Sequence, residues 1–561
     1  MRDYISIANQ YIDDVLTGKI PACEWVIKAC ERQKRDLKSL SGYTFNPKRG
    51  AKVCYFVEHL RHTKGPLARQ KIKLEPWQIF ILTTVFGWVD STGARRFKDV
   101  YIEVPRGNGK SALSSAIALY MLAADGEYGA ECYSFATTGD QAKIVFDVAR
   151  QMALMSPDVK SALNLTVQKY SITQLSTGSS FSPKNSKDDT LDGLNTHFGC
   201  IDELHAHKTR GLYDVIETSI GKRKQPMVWT ITTAGFDTSG ICYEVRTIVT
   251  MILNQTVQVE SQFGIIYTID EGDDWTTDKA LIKANPNWGV SVNPETLFSH
   301  REKALTLPSA ANNFKTKYLD VWCSAKSAWM DMQAWKACED PALDIADFEG
   351  QPCVIGLDLA AKNDLVAKMI IFPQQGEGDN KTEYVVFEDF YLPTATVEKS
   401  TNSQYQGWVD RGFIHTTDGA ITDFNVIEEA LRDDLSRFDV RAIAYDPWQA
   451  MQLAMRLSDD GAPMVEFRNT VQNISSPMKS LEALVQDRRI RHRHNPAMDW
   501  MMGNVVAKVD AKDNIFPRKE RYENKIDGPV AMIFALAMCM SDLETSDDDD
   551  FSEFVDDIIV V

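Results

Sequence analysis

The stretch VPRGNGKS, residues 104–111, decides the fold of the first half of this chain. It closes on Gly109, Lys110 and Ser111, as a phosphate-binding P-loop does, although Val104 stands where the consensus G-x-x-x-x-G-K-[ST] has its first glycine. Apolar FKDVYIEV runs into it and SALSSAIALYMLAA runs out, so the local pattern is strand, loop, helix. Gly107 and Gly109 let the loop, Asn108 included, wrap closely around phosphate, and the free N–H groups that open the helix face the anion. Lys110 would reach the β- and γ-phosphates of ATP and Ser111 would ligate Mg²⁺. Arg106 adds a second cation, a candidate cis contact to the γ-phosphate. An ordinary Gly-rich turn would look the same in isolation.

Downstream residues separate the two readings. HFGCIDE puts Asp202 and Glu203 at the end of an apolar run. An acid there holds Mg²⁺, and the next acid orients and deprotonates the attacking water. A helix cap is the bland alternative. ECYSFATT and MVWTITTAG read as further strands, and DQAKIVFDVARQMALM as a helix between strands. This alternation predicts a parallel α/β sheet. Thr232 and Thr233 fall at a neighbouring strand tip, where polar residues can sense the γ-phosphate. Gln78 in EPWQ is a candidate reader of the adenine edge, with Trp77 or Phe80 packed nearby; a surface-helix glutamine is its alternative. His205 and His207, with no further ligand nearby, do not make a zinc site.

A second α/β unit starts near residue 350. CVIGLDLA, VAKMIIFPQ, EYVVFEDFYLP and RAIAYDP read as strands, and DGPVAMIFALAMCM as a closing apolar helix. Asp358 lies within an apolar run, Asp446 ends another and Asp527 opens the helix. A buried acid needs a cation or a partner. Three acids from distant segments are what two Mg²⁺ or Mn²⁺ ions require for phosphodiester hydrolysis. An N-cap (Asp527) and a turn (Asp446) are the bland alternatives, and Asp364 is a further possible ligand. The basic runs QDRRIRHRHNP and RKERYENK, with Arg488, Arg489, Arg491, Arg493, Arg518, Lys519, Arg521 and Lys525, are candidate phosphate contacts.

The 561-residue chain carries a net charge of -17, which weakly opposes a protein coated in nucleic acid. Residues 541–561 alone hold nine acids, and without them the balance is -8, so a local basic channel is compatible with the rest. No apolar run reaches the ~18 residues of a membrane span. Ten scattered cysteines without C-x-x-C suit reduced thiols in a cytosolic protein.

With both sites in view, the chain resembles the large subunit of the tailed-bacteriophage terminase. EPWQ, VPRGNGKS, ATTGDQA, GCIDELHAH, TITTAG, WMDMQAW, GLDLA, YDPWQ and KIDGPVA carry the resemblance, in the family's order from about residue 50 to 540. It implies an additional-strand P-loop ATPase joined to an RNase H-like nuclease. It implies that Lys110, Asp202 and Glu203 hydrolyse ATP, with Thr232 to Ala234 as coupling motif, and that Asp358, Asp446 and Asp527 bind the nuclease metals. A P-loop without its first Gly is similar to the family's own. The implied partners are double-stranded DNA, a small terminase subunit and the portal protein of a prohead, on which a ring of five subunits docks. The implied location is the host cytoplasm and, transiently, the portal vertex; no membrane is involved. The family's trans arginine finger has no arginine in SPKNSKDDTLDGLN, which leaves Arg210 and Arg223 as candidates. A helicase-like ATPase–nuclease of repair or restriction is the alternative, but it needs a second ATPase lobe where this chain has the acid trio. A scaffold with a dead P-loop would not need Lys110, Asp202 and Glu203 together.

The expected organisation is a helical segment over 1–60, the ATPase over 61–270, an irregular linker over 271–345, the nuclease over 346–541 and a flexible acidic tail over 542–561.

Overall fold

The computed structural model describes residues 2–65, 67–136, 138–185, 193–207, 209–238, 240–323, 329–359, 364–375, 381–400, 402, 404–510, 512–519 and 524–545. The acidic tail beyond 545, Arg521 and residues 186–192 of SPKNSKDDTLDGLN lie outside these residues. The chain divides into two compact units, Met1–Cys323 and Ser324–Val561.

The first unit is built on an eight-stranded sheet. Six strands run parallel: Gln262–Ile266, Asp99–Glu103, Met227–Thr232, Thr196–Asp202, Glu131–Ala136 and Ser179–Asn185, in that spatial order. Two short antiparallel strands, Ile172–Gln174 and Leu165–Val167, extend the far edge. The Met227–Thr232 strand lies between the P-loop strand, Asp99–Glu103, and the strand ending in Asp202. This is the additional-strand arrangement, and it sets three strand tips side by side. The central strands are almost wholly buried, which explains their continuous apolar runs.

The helices Tyr4–Leu16, Glu24–Lys38 and Pro47–His59 pack into the same core as the sheet through Tyr11, Ile12, Val26, Cys30 and Val53. Residues 1–60 are therefore part of the ATPase unit rather than a separate segment. The supposed linker also needs correction. Asp278–Ala284, Pro294–Thr306 and Pro308–Tyr318 are helices with their own apolar cluster, including Leu281, Leu297 and Phe314, and belong to the first unit. The second unit begins at 324 rather than 346.

The second unit holds a seven-stranded sheet. Pro352–Asp358, Val366–Gln375 and Thr382–Pro393 pair antiparallel in succession, and Asp439–Tyr445 and Met464–Glu466 add parallel strands on the other side of Pro352–Asp358. This is the RNase H-like sheet. The helix Asp527–Thr545 lies across it. Gly356 makes that approach possible, because a Cβ there would fall 2.0 Å from the carbonyl oxygen of Ala531. All ten cysteines are free, and no described helix is long and apolar enough to cross a membrane.

Candidate functional sites

The strand Asp99–Glu103 leads into the loop and the helix Lys110–Ala123 leaves it. Gly107 and Gly109 have φ of +90° and +77°, a region that favours glycine, so the turn depends on them. Val104 directly follows the strand and sits before the turn. It is fully buried, its N–H donates to Thr232 O at 3.1 Å, and its carbonyl accepts from Lys110 Nζ at 3.0 Å. The consensus glycine is dispensable here because the turn, with its positive φ at Gly107 and Gly109, starts only after this position.

Arg106, Gly107, Gly109, Lys110, Ser111 and Glu203 share one cleft of about 440 Å³. Burial lowers the Lys110 pKa, against the opposing charges of Glu203, Asp320 and Asp202. Ser111 Oγ donates to Asp202 Oδ2 at 3.4 Å, while Asp202 Oδ1 is buried without a partner. Burial and the Glu203 charge push the Asp202 carboxyl up to about 7. A hydroxyl and an uncompensated carboxylate beside a phosphate cradle form a donor set suited to Mg²⁺.

Glu203 sits at φ 54°, a left-handed backbone that costs a non-glycine residue about 1–2 kcal/mol. Against the opposing effect of burial, a hydrogen bond from His205 and the charges of Lys110, His205 and Arg106 hold its carboxyl down at about 2. Glu203 Oε2 lies 3.1 Å from His205 Nδ1 and accepts from Thr233 Oγ1 at 3.4 Å. Thr232 stands behind them, its Oγ1 accepting from the His205 N–H at 3.2 Å. So Thr233 touches the candidate base, whereas Thr232 fixes the turn that carries His205. The sequence marks His205 only as one of a histidine pair without further ligands. Asp320 is a further residue the motifs do not reveal: fully buried, its Oδ1 accepts from Ala234 N at 2.6 Å.

The side chains of two residues expected at the nucleotide are engaged elsewhere in this structure. The Asn108 side chain is buried and turned to the helical region after the sheet: Nδ2 donates to Pro105 O at 3.1 Å and to Asn285 Oδ1 at 2.9 Å, and Oδ1 accepts from Asn287 N at 3.0 Å. It braces the loop. Gln78 is the third residue of the helix Pro76–Gly87, and its Oε1 accepts from the Glu75 N–H at 3.0 Å in a capping box. It does not line the cleft, and Trp77 and Phe80 are buried in the core. Among finger candidates, Arg223 is bound to Asn195, Glu127 and the carbonyls of Tyr128 and Gly129, with a side chain only 9% exposed. Arg210 is half-exposed and paired with Asp214 and Glu244 on the surface.

In the second unit, Asp358 ends its strand and Asp446 directly follows the parallel Asp439–Tyr445 strand. Leu357 registers with Tyr445, so the two aspartates occupy equivalent positions at one sheet edge. Asp527 opens the helix that Gly356 admits. Burial and the charges of Asp527, Asp446 and Asp364 push the Asp358 carboxyl well above its usual range, and burial and Asp364 push Asp527 up to about 6. Asp364 therefore joins the cluster, where its Oδ1 lies 2.5 Å from Lys525 Nζ. Lys519 and Lys525 offset this repulsion only in part, and divalent cations would supply the rest. Among the described residues, Glu339, His494 and Asp499 have ligating atoms within 4.8 Å of one another; the aspartate trio is not that tight. In the basic runs, Arg489 is spent on Thr382 O and Arg491 pairs with Asp340, while Arg488, Arg493 and Arg518 are exposed.

Residues 76–250 match the model of the terminase large subunit, ATPase domain, and residues 256–542 that of the terminase large subunit, endonuclease domain. The chain belongs to the terminase large subunit family. Like other terminase large subunits it combines an ATPase and an endonuclease in phage DNA packaging, using a nucleotide and divalent metal. It is 41% identical over 359 residues to Protein YmfN of Escherichia coli (strain K12), covering 62% of this chain and 78% of that one. It is 25% identical over 520 residues to the terminase large subunit of Enterobacteria phage HK97, covering 90% and 98%. The crystal structure of the HK97 large terminase aligns with a TM-score of 0.43 at 24% identity, over 87% of this chain and 99% of that one. The helicase-like alternative is not favoured. The endonuclease match begins at 256, inside the first compact unit, so the family boundary and the structural one differ.

Proposed function

We propose that this terminase hydrolyses ATP in the cleft at the three strand tips, with Lys110 on the β- and γ-phosphates, Ser111 and Asp202 holding Mg²⁺, and Glu203 as the base that accepts a proton from the attacking water. The observation that carries the reading is the gathering of Lys110, Ser111 and Glu203 in one cleft, with Ser111 Oγ 3.4 Å from Asp202 Oδ2 and the Glu203 carboxylate held by His205 and Thr233. Glu203, held by His205 and Thr233, is positioned to accept that proton. Arg106, exposed at the mouth of the cleft, contacts the γ-phosphate in cis. Bound Mg²⁺ supplies charge neutralisation at the phosphates.

In the second unit, Asp358, Asp446 and Asp527 hold two Mg²⁺ or Mn²⁺ ions, with Asp364 as an outer acid tied to Lys525. The substrate is double-stranded DNA, and the exposed Arg488, Arg493 and Arg518 bind its phosphates without reading sequence. The motor works as a ring of five subunits on the portal of a prohead, receives viral DNA with a small terminase subunit, and otherwise resides in the host cytoplasm.

The test is a double dissociation in the full chain. Lys110→Ala and Glu203→Gln should each abolish ATPase activity and leave Mn²⁺-dependent cutting of plasmid DNA. Asp358→Asn should abolish cutting and leave ATPase activity. Normal hydrolysis by Glu203→Gln removes the base assignment; cutting that persists in EDTA removes the metal reading.

A further inference from the structure

Three segments of the second unit bring Glu339, His494 and Asp499 together. Glu339 follows the helix Met332–Lys336, His494 lies two residues past the short strand Ile490–His492, and Asp499 is in the first turn of the helix Pro496–Asn504. The backbone holds these segments in place: Asp340 N donates to His492 O at 2.8 Å, His492 N to Cys338 O at 3.2 Å, and Asp499 N to Asn495 O at 3.0 Å. Trp335 Nε1 donates to Asp499 Oδ1 at 2.8 Å and so orients that carboxylate, whose Oδ2 lies 3.5 Å from His494 Nδ1. Glu339 Oε1 lies 3.3 Å from the same nitrogen. Both spacings are long for a charge-assisted bond, which closes to about 2.7–2.9 Å. They match the edge, about 3.3–3.4 Å, of a tetrahedron whose donors stand 2.0–2.1 Å from a central ion. The site is separate from the aspartate cluster. His492 registers with Val386, Val386 with Ile371 and Ile371 with Val354 of the Asp358 strand, three strand spacings or roughly 14 Å across the sheet.

We propose that Glu339, His494 and Asp499 bind a structural Zn²⁺ ion. Two carboxylates and a neutral imidazole carry two negative charges, which one divalent ion cancels. An imidazole among the donors favours Zn²⁺ over Mg²⁺, which takes oxygen ligands. The half-exposed His494 leaves one side open to water as the remaining ligand. The Trp335 bond to Asp499 is the outer contact that such sites use to aim a ligand. The ion ties the segment that enters the second unit to the strand Ile490–His492 and the helix Pro496–Asn504, and takes no part in cutting.

Zn²⁺ binding to the full chain tests it, measured by competition with a chromophoric chelator in excess Mg²⁺. An Asp358→Asn background keeps the aspartate cluster from contributing. That chain should hold one Zn²⁺ ion, and Zn²⁺ should raise its Tm. Glu339→Gln and His494→Ala, both surface changes, should each remove the Tm shift and weaken binding by more than Trp335→Phe does. Trp335→Phe, which removes only the orienting N–H, should weaken binding about 10- to 100-fold. Three results overturn the proposal: no Zn²⁺ held by the Asp358→Asn chain, displacement of Zn²⁺ by Mg²⁺, or equal affinity in Glu339→Gln and His494→Ala. The three side chains would then form an ion pair only.

Discussion

Asn287 grips the P-loop at Asn108 by two hydrogen bonds, its N–H donating to the Asn108 Oδ1 at 3.0 Å and its Nδ2 to the Asn108 carbonyl at 3.3 Å. The Asn287 Oδ1 also accepts from Trp77 Nε1 at 2.7 Å, and Ser291 Oγ donates to Gly107 O at 2.6 Å. The phosphate loop is thus shaped from outside its own motif. Asn287→Ala removes the side-chain bonds and leaves a buried indole N–H unpaired, at a cost of about 1–3 kcal/mol. Urea unfolding should show that loss, together with reduced kcat for ATP. A variant as stable as wild type would contradict the bracing role.

Gly356 should be intolerant of any side chain. A Cβ 2.0 Å from Ala531 O forces the Asp527–Thr545 helix off the sheet, moving Asp527 away from Asp358. Gly356→Ala is expected to destabilise the second unit by about 3 kcal/mol or more and to abolish DNA cutting while ATPase activity survives. Retained cutting would mean that the helix can shift without disturbing the acids.

The pH dependence of stability should carry the mark of His207. Burial and the neighbouring His205 lower its pKa to about 4, and its Nε2 is buried without a partner. A depressed histidine binds fewer protons folded than unfolded. Its neutral form is therefore fully accommodated above about 6.5, and stability is lost as pH falls from there to about 4. The difference between wild type and His207→Asn should change by up to roughly 3 kcal/mol across that window. Parallel curves for the two proteins would show that His207 does not titrate as described.

Arg210 and Arg223 make different predictions for a ring. If half-exposed Arg210 acts on a neighbour's nucleotide, mixing Arg210→Ala with Lys110→Ala subunits should recover ATPase activity that neither has alone. Arg223→Ala should simply destabilise the fold, since its guanidinium holds together the segments around Asn195, Glu127 and Gly129. No recovery in the Arg210 mixture would exclude it as the finger.

Much of this was legible because the chemistry sits in short local patterns. VPRGNGKS and HFGCIDE each place an apolar strand directly before its functional residues, and strand tips are where α/β sheets build sites. Asp358 stood out because an acid inside an apolar run demands compensation. What escaped is of two physical kinds. The helices within 278–318 look irregular because Pro294 and Pro308 suggest breaks; both instead occupy first-turn positions, where a missing N–H costs nothing. The roles of Asn108, Gln78 and His205 depend on partners. Asn108 meets Asn285 across 177 residues, a contact no local pattern encodes. Gln78 is the reverse case, since its three-residue spacing from Glu75 already spells a capping box.

Asp320 gives the first unit a short leash. The residue that holds Ala234 N, one position past the Thr233 that touches Glu203, lies three residues before the unit's last residue, Cys323. Three residues span at most about 10 Å when fully stretched. Any displacement of the strand tip that hydrolysis produces therefore tugs on the chain where it leaves the ATPase, with almost no slack to absorb it.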